Sequence, residues 1–126
     1  MSQLVLVVDD QPEDAERARA ILTERGFDVE IVTTSMAAII TIERRHPELI
    51  LLDTSIAEGR GMELLDHMKA NLAHAALPVV VVTRRANDED ILACYKFGAD
   101  YFLAKPYSPR QLLHAVGLPL GRNLVD

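Results

Sequence analysis

The chain has little of what staples or anchors a small protein. It contains one cysteine, Cys94, and no tryptophan; its aromatics are three Tyr and three Phe in 126 residues. One thiol excludes an internal disulfide, so a packed core must hold the fold. Cys94 falls on a predicted helix and is expected to be a buried, inert thiol. No apolar run approaches the length of a membrane span. The opening MSQLVLVVDD carries no basic segment and runs straight to aspartates, so it does not read as a secretory signal, and a cytoplasmic setting is expected. Positive charge is also short, with 13 Lys and Arg against 19 Asp and Glu, a formal net charge of −6. That balance argues against non-specific nucleic-acid contact by this domain. The histidines His46, His67, His74 and His114 are scattered without metal-ligand spacing.

What is present is an ordinary globular composition, 49% hydrophobic and 25% charged, and enough chain for one core. Strand and helix signals alternate throughout. Gln3–Val8 is a β-branched and Leu run, as in a strand buried on both faces. Asp10 or Gln11 can cap a first helix, with Pro12 in its first turn and Glu13, Asp14 and Glu16 near its positive end. That helix puts Ala15, Ala18, Ile21 and Leu22 on one stripe and stops at Gly26. Asp28–Val32 is a second strand. Ser35 is the expected cap of a helix to about Arg45 that buries Ile39 and Ile42, and Leu49–Leu52 is a third strand. After the polar loop TSIAEGR, a third helix opens at Gly61 with Leu64, Leu65, Met68 and Leu72 as apolar positions. Val79–Val82 follows. A fourth helix, capped by Asn87 or Asp88, carries Ile91, Leu92 and Tyr95 and closes at Gly98. Asp100–Leu103 is the fifth strand, and Ser108-Pro109 starts a fifth helix bearing Leu112, Leu113 and Val116.

Five such units predict an α/β fold, a doubly wound parallel sheet with helices on both faces. Of the common strand orders, the flavodoxin-like 2-1-3-4-5 fits five strands and makes the first and third neighbours at the switch point. Four apolar runs then end on one sheet edge. LVLVV leads to Asp9-Asp10, LILL to Asp53, VVVV to Thr83 and YFLA to Lys105-Pro106. Crowded carboxylates repel by about 4 kcal/mol per pair at ~4 Å and an effective dielectric of ~20, so they raise a pKa or take a cation. Mg²⁺ suits such oxygens. An aspartate can serve as a nucleophile, and a hydroxyl and an ammonium can hold phosphoryl oxygens.

In order and spacing, VVDD at 7–10, LILLD at 49–53, GMELL at 61–65, VVVVT at 79–83, GADYFLAKP at 98–106 and SPRQLL at 108–113 resemble the receiver domain of two-component response regulators. The resemblance runs from residue 3 to about 116 and implies the same strand order, which rests partly on it. The implied bounds are a receiver domain at 1–117 and a tail or linker start at 118–126. The resemblance makes Asp53 the phosphoacceptor, taking a phosphoryl group from a histidine kinase or phosphotransfer protein and passing the change to a downstream output domain or protein. It makes Asp9, Asp10, Asp53 and the backbone carbonyl of Ser55 the Mg²⁺ ligands. Thr83 and Lys105 would hold phosphoryl oxygens, Thr83 and Phe102 would form the switch, and the Lys105-Pro106 bond would be cis. Such a domain catalyses its own phosphorylation and dephosphorylation and is not a conventional enzyme. No membrane contact is expected, and a homodimer is one arrangement the family uses.

Three places depart from the family pattern. Arg84 stands after Thr83 where a small residue is usual, and a long cation there would either narrow access to Asp53, as a gate, or help attract phosphate. Ala57 replaces a common proline, with Gly59 and Gly61 supplying turn freedom, and Ser55 with Arg85 occupies positions that tune dephosphorylation. Gly117 and Pro119 are expected to cut the fifth helix after about two turns. Two other readings remain open: an interaction module that is never phosphorylated, and an aspartate-nucleophile phosphohydrolase of the haloacid dehalogenase type. The latter wants a DxD arrangement after the first strand, where this chain has Asp9-Asp10-Gln11.

Overall fold

A computed structural model describes residues 3–56, 60–85 and 87–125. Strands β1 (Leu4–Val8), β2 (Asp28–Val32), β3 (Leu49–Asp53), β4 (Val79–Thr83) and β5 (Tyr101–Ala104) alternate with helices α1 (Pro12–Glu24), α2 (Ser35–Arg45), α3 (Gly61–Ala70), α4 (Asp88–Lys96) and α5 (Pro109–Leu120). The strands form one parallel sheet in the order β2-β1-β3-β4-β5, as expected. Every residue of β1, β3 and β4 is buried, which is why these segments read as unbroken apolar runs.

The two-residue period of the strands splits the core into two layers. Val5, Val7, Leu49, Leu51 and Leu103 pack under α1 and α5. Leu6, Val8, Ile50, Leu52, Val79 and Val81 pack under α2, α3 and α4. Leu22, Leu65 and Leu112 are fully buried anchors, and truncating one such leucine to alanine costs about 2–5 kcal/mol.

Local chemistry sets the helix ends and packing sets their faces, with five corrections to the sequence reading. The cap of α2 is Thr34, whose hydroxyl accepts from the Ala37 N–H at 3.1 Å, not Ser35. Helix α2 buries Ala38 and Ile42, while Ile39 is half-buried. In α4 the core residue is Cys94; Leu92 is 69% exposed and Tyr95 is exposed as well. Leu72 lies beyond α3 and is 96% exposed.

The last correction is the largest. Helix α5 is not cut at Gly117 and runs to Leu120 with Pro119 inside it. Pro119 falls in the final turn, where its missing N–H forfeits one intrahelical bond, and its fixed φ suits a helix. Left-handed Gly121 then ends the helix, and the Arg122 N–H closes on the Gly117 carbonyl at 2.9 Å. The chain beyond folds back, so Leu124 is buried in the α1/α5 layer. A Cβ on Gly117 would stand 2.4 Å from the Arg122 carbonyl oxygen, so only glycine permits this return.

Candidate functional site

The strand period also sorts the residues at the sheet's C-terminal edge. Asp9, Asp53 and Lys105 continue the register of Val7, Leu51 and Leu103, so they share the α1/α5 side. Thr83 continues Val79 and Val81 on the other side. Val81 pairs with Phe102 across β4 and β5, so Thr83 lies two residues further along the face that Phe102 shares.

The centre is the Lys105 ammonium, whose side chain is 3% exposed. It donates to Asp9 Oδ2 at 2.7 Å, Asp53 Oδ2 at 2.7 Å and Asp14 Oδ2 at 2.9 Å. Three donors meet three carboxylates, so the ammonium is saturated. Burial alone would lower its pKa, but the hydrogen bonds it donates to Asp53, Asp9 and Asp14 outweigh that and hold it above the ordinary lysine value. Burial raises Asp9 from the usual aspartate range, against the lowering pull of Lys105 and of the Gln11 N–H, which donates to Asp9 Oδ1 at 2.9 Å.

Asp53 is held differently at its two oxygens. Oδ1 accepts from the Ser55 N–H at 2.8 Å and the Ser55 hydroxyl at 2.7 Å, which leaves Oδ2 as the oxygen facing Lys105. The chain beyond it is fixed by Gly61: its N–H donates to the Thr54 carbonyl at 3.2 Å, and a Cβ there would meet Thr54 Cα at 2.4 Å. Ala57 and Gly59 lie outside the described residues. Lys105 is presented by a turn with a cis Lys105-Pro106 bond, as expected. Arg17 of α1 steadies that turn, donating to the Tyr107 carbonyl at 2.7 Å and lying over the Tyr107 ring.

Thr83 is buried, and its hydroxyl accepts from the Arg85 N–H at 3.1 Å. A cavity of about 320 Å³ opens beside it, lined by Thr54, Ser55, Met62, Arg85, Asp90 and Cys94 among others. Phe102 is half-buried, and its N–H donates to the Tyr95 hydroxyl at 3.2 Å, which ties β5 to α4. Cys94 is buried as expected, and desolvation pushes its thiol pKa up.

Asp10 is exposed at the rim, accepting from Gln11 Nε2 at 3.3 Å. Among the described residues, no three His, Cys, Asp or Glu side chains are grouped to hold a metal; in this arrangement Lys105 supplies the cation between Asp9 and Asp53. Asp9, Asp10 and Asp53 lie at the carboxyl ends of neighbouring strands β1 and β3, and carboxylate oxygens are the donor type that a hard divalent ion takes.

Two residues carry more than the sequence reading assigned them. Asp14 read as an acidic residue near a helix start. It also bridges Lys105 and Arg84, whose guanidinium donates to Asp14 at 2.7 and 3.2 Å. The Arg84 hydrogen bond is the main cause that lowers the Asp14 pKa to about 2. The usable signal was position: Asp14 stands one helical turn after Asp10, at the end of α1 that abuts the strand edge. Arg17 offered no comparable signal.

The class of the fold is thus a flavodoxin-like doubly wound sheet with an acidic, lysine-bridged switch point at its carboxyl edge. The family model for the response regulator receiver domain matches residues 5–117. The chain is 32% identical over 123 residues to a DNA-binding response regulator, MtrA, of Mycolicibacterium smegmatis, covering 98% of this chain and 53% of that protein. It is 31% identical over 113 residues to the phosphate regulon transcriptional regulatory protein PhoB of Escherichia coli, covering 90% and 49%. A CheY-like response regulator receiver domain protein of Methanospirillum hungatei superposes with a TM-score of 0.87 at 28% identity, over 96% of this chain and 95% of that one. This chain belongs to the response regulator receiver domain family. It spans about half the length of the curated relatives it matches. None of the described helices is long and apolar enough to cross a membrane.

Proposed function

We propose that this domain is a phosphoacceptor switch in which Asp53 takes a phosphoryl group from the phosphohistidine of a histidine kinase or phosphotransfer protein. The observation that carries this reading is the asymmetry of Asp53: Oδ1 is pinned by Ser55 and Oδ2 faces the Lys105 ammonium. Asp53 Oδ2 attacks phosphorus, an O–P bond forms, the N–P bond to imidazole breaks, and the freed imidazole keeps the electron pair and takes a proton from solvent. Lys105 gives one of its hydrogen bonds to a phosphoryl oxygen and offsets charge there. Asp9, Asp10, Asp53 and the Ser55 carbonyl would hold Mg²⁺, which when bound neutralises the phosphoryl oxygens. The Thr83 hydroxyl donates to another phosphoryl oxygen. Phe102, two residues back on the same sheet face, responds to the space Thr83 vacates. The readers of that change are a downstream output domain or protein. MtrA, a relative of about twice this length, is a DNA-binding regulator, which supports an output of that kind.

The test is incubation of the protein with Mg²⁺ and acetyl phosphate, followed by chemical mapping of the label. One acid-stable, base-labile phosphate at Asp53, absent in Asp53→Asn, is expected. No adduct would favour an unphosphorylated interaction module, and continuous phosphate release without an adduct would favour a hydrolase.

A further inference from the structure

The Lys105 ammonium has no free donor, and its third partner is neither the acceptor nor an expected metal ligand. Asp14 Oδ2 accepts from Lys105 and from Arg84 at once, and Asp14 Oδ1 accepts a second Arg84 hydrogen bond. Asp53, Lys105, Asp14 and Arg84 therefore form one unbroken chain of alternating charges. It crosses from β3 over the β5–α5 turn to the first turn of α1 and back to the segment after Thr83. Arg84 leans on α1 and flanks a surface groove with Gln11, Pro12 and Glu13.

We propose that Asp14 is a positioning residue that restrains phosphorylation, holding Lys105 saturated and the Arg84 guanidinium parked on α1 until an incoming phosphoryl group competes for both cations. This rests on the phosphoacceptor reading of Asp53 and names its regulation. A phosphoryl oxygen can gain a Lys105 hydrogen bond only by displacing a carboxylate. Asp14 is the most exposed of the three, at 19% against 7% for Asp9 and 3% for Asp53, and so is the one water most readily solvates on release. Its negative charge also opposes an anionic donor. Both effects have one sign, so removing the charge speeds the reaction. Arg84 has the opposite role once free, as a cation beside the approach to Asp53.

The experiment compares wild type, Asp14→Asn, Arg84→Ala and the double variant, with Mg²⁺ and either dianionic acetyl phosphate or monoanionic phosphoramidate, and follows label at Asp53. Asp14→Asn should label roughly tenfold faster with acetyl phosphate, as expected for one charge removed near the reacting oxygens, and by less with phosphoramidate. Arg84→Ala alone should label more slowly, and the part of the Asn gain that comes from freeing Arg84 should vanish in the double variant. Equal rates for wild type and Asp14→Asn overturn the proposal while leaving the phosphoacceptor reading intact. So does a gain that persists undiminished without Arg84, or one equal for the two donors. A wild type that takes no label overturns both. Cooperative thermal melts well above the assay temperature for every variant would exclude misfolding as the cause of either rate change.

Discussion

Replacing Lys105 by methionine tests the centre of the site most directly. Methionine keeps an apolar stem of similar length and removes the charge. The Asp9 and Asp53 oxygens both lie 2.7 Å from Lys105 Nζ, so they are at most about 5.4 Å apart. At an effective dielectric of ~20, two charges at that distance repel by about 3 kcal/mol. Both carboxylates are buried, and breaking a buried pair by deleting one partner typically costs about 3–5 kcal/mol, so the two routes agree. For a domain of this size that lowers Tm by about 10–15 °C. The assay is thermal unfolding by circular dichroism at pH 7 and pH 5, with and without 10 mM Mg²⁺ (roughly the excess over a millimolar site that mass action needs).

The sign with pH follows from the two groups. The native Lys105 pKa is raised, so its contribution is fully present below the ordinary lysine value and is lost as pH rises through the folded value. Asp9 is already raised by burial, and losing Lys105 raises it further. The variant's penalty is therefore greatest at neutral pH and shrinks on acidification, as Asp9 takes a proton. Mg²⁺ should restore more stability to the variant than to wild type, because it supplies the missing positive charge. A variant that melts within about 3 °C of wild type at pH 7, with no difference at pH 5, would refute the account of Lys105 as the cation that reconciles the two aspartates.

Three further outcomes are expected. Gly61→Ala drives a Cβ against the Thr54 backbone at 2.4 Å; it should lose about 2 kcal/mol or more and slow Asp53 labelling, read by thermal melting and phosphorylation assay. Gly117→Ala gains about 1 kcal/mol of helix propensity, yet it forces the Arg122 carbonyl away; a lower Tm with faster hydrogen exchange at Leu124 and Val125 is expected, and an unchanged Tm would refute the docked return of the chain. Asp14 has a folded pKa of about 2 against 3.8, so its contribution is present above about pH 4 and is lost between roughly pH 4 and 2. After allowance for solvent screening this is about 1 kcal/mol, and it should be missing from the acid unfolding curve of Asp14→Asn.

Much of the fold was legible because parallel strands buried on both faces must be continuous apolar runs, and glycine, proline and capping residues punctuate them. The bounds of β2 matched the sequence reading, while β3 and β4 each extended one residue onto Asp53 and Thr83. Their two-residue period even separates Asp9, Asp53 and Lys105 from Thr83 and Phe102. Helix faces were less legible. In α4, Leu92 and Tyr95 are more apolar or larger than their setting requires, and the small Cys94 faces the core because packing depends on where the neighbouring elements lie. In α5, Pro119 is a local stop signal that the buried Leu124 and the Gly121 turn override.

Residue order alone was sufficient to mark the class of fold, the edge carrying the chemistry and the residue types gathered there, since each depends on local periodicity and strand ends. The tertiary structure decided which oxygen of Asp53 faces Lys105, that Lys105 is shared among three carboxylates, and that Asp14 joins it to Arg84. Those contacts join segments up to 96 residues apart, and hydrogen-bond geometry between distant segments is set by how helices dock on a twisted sheet, which no local pattern encodes.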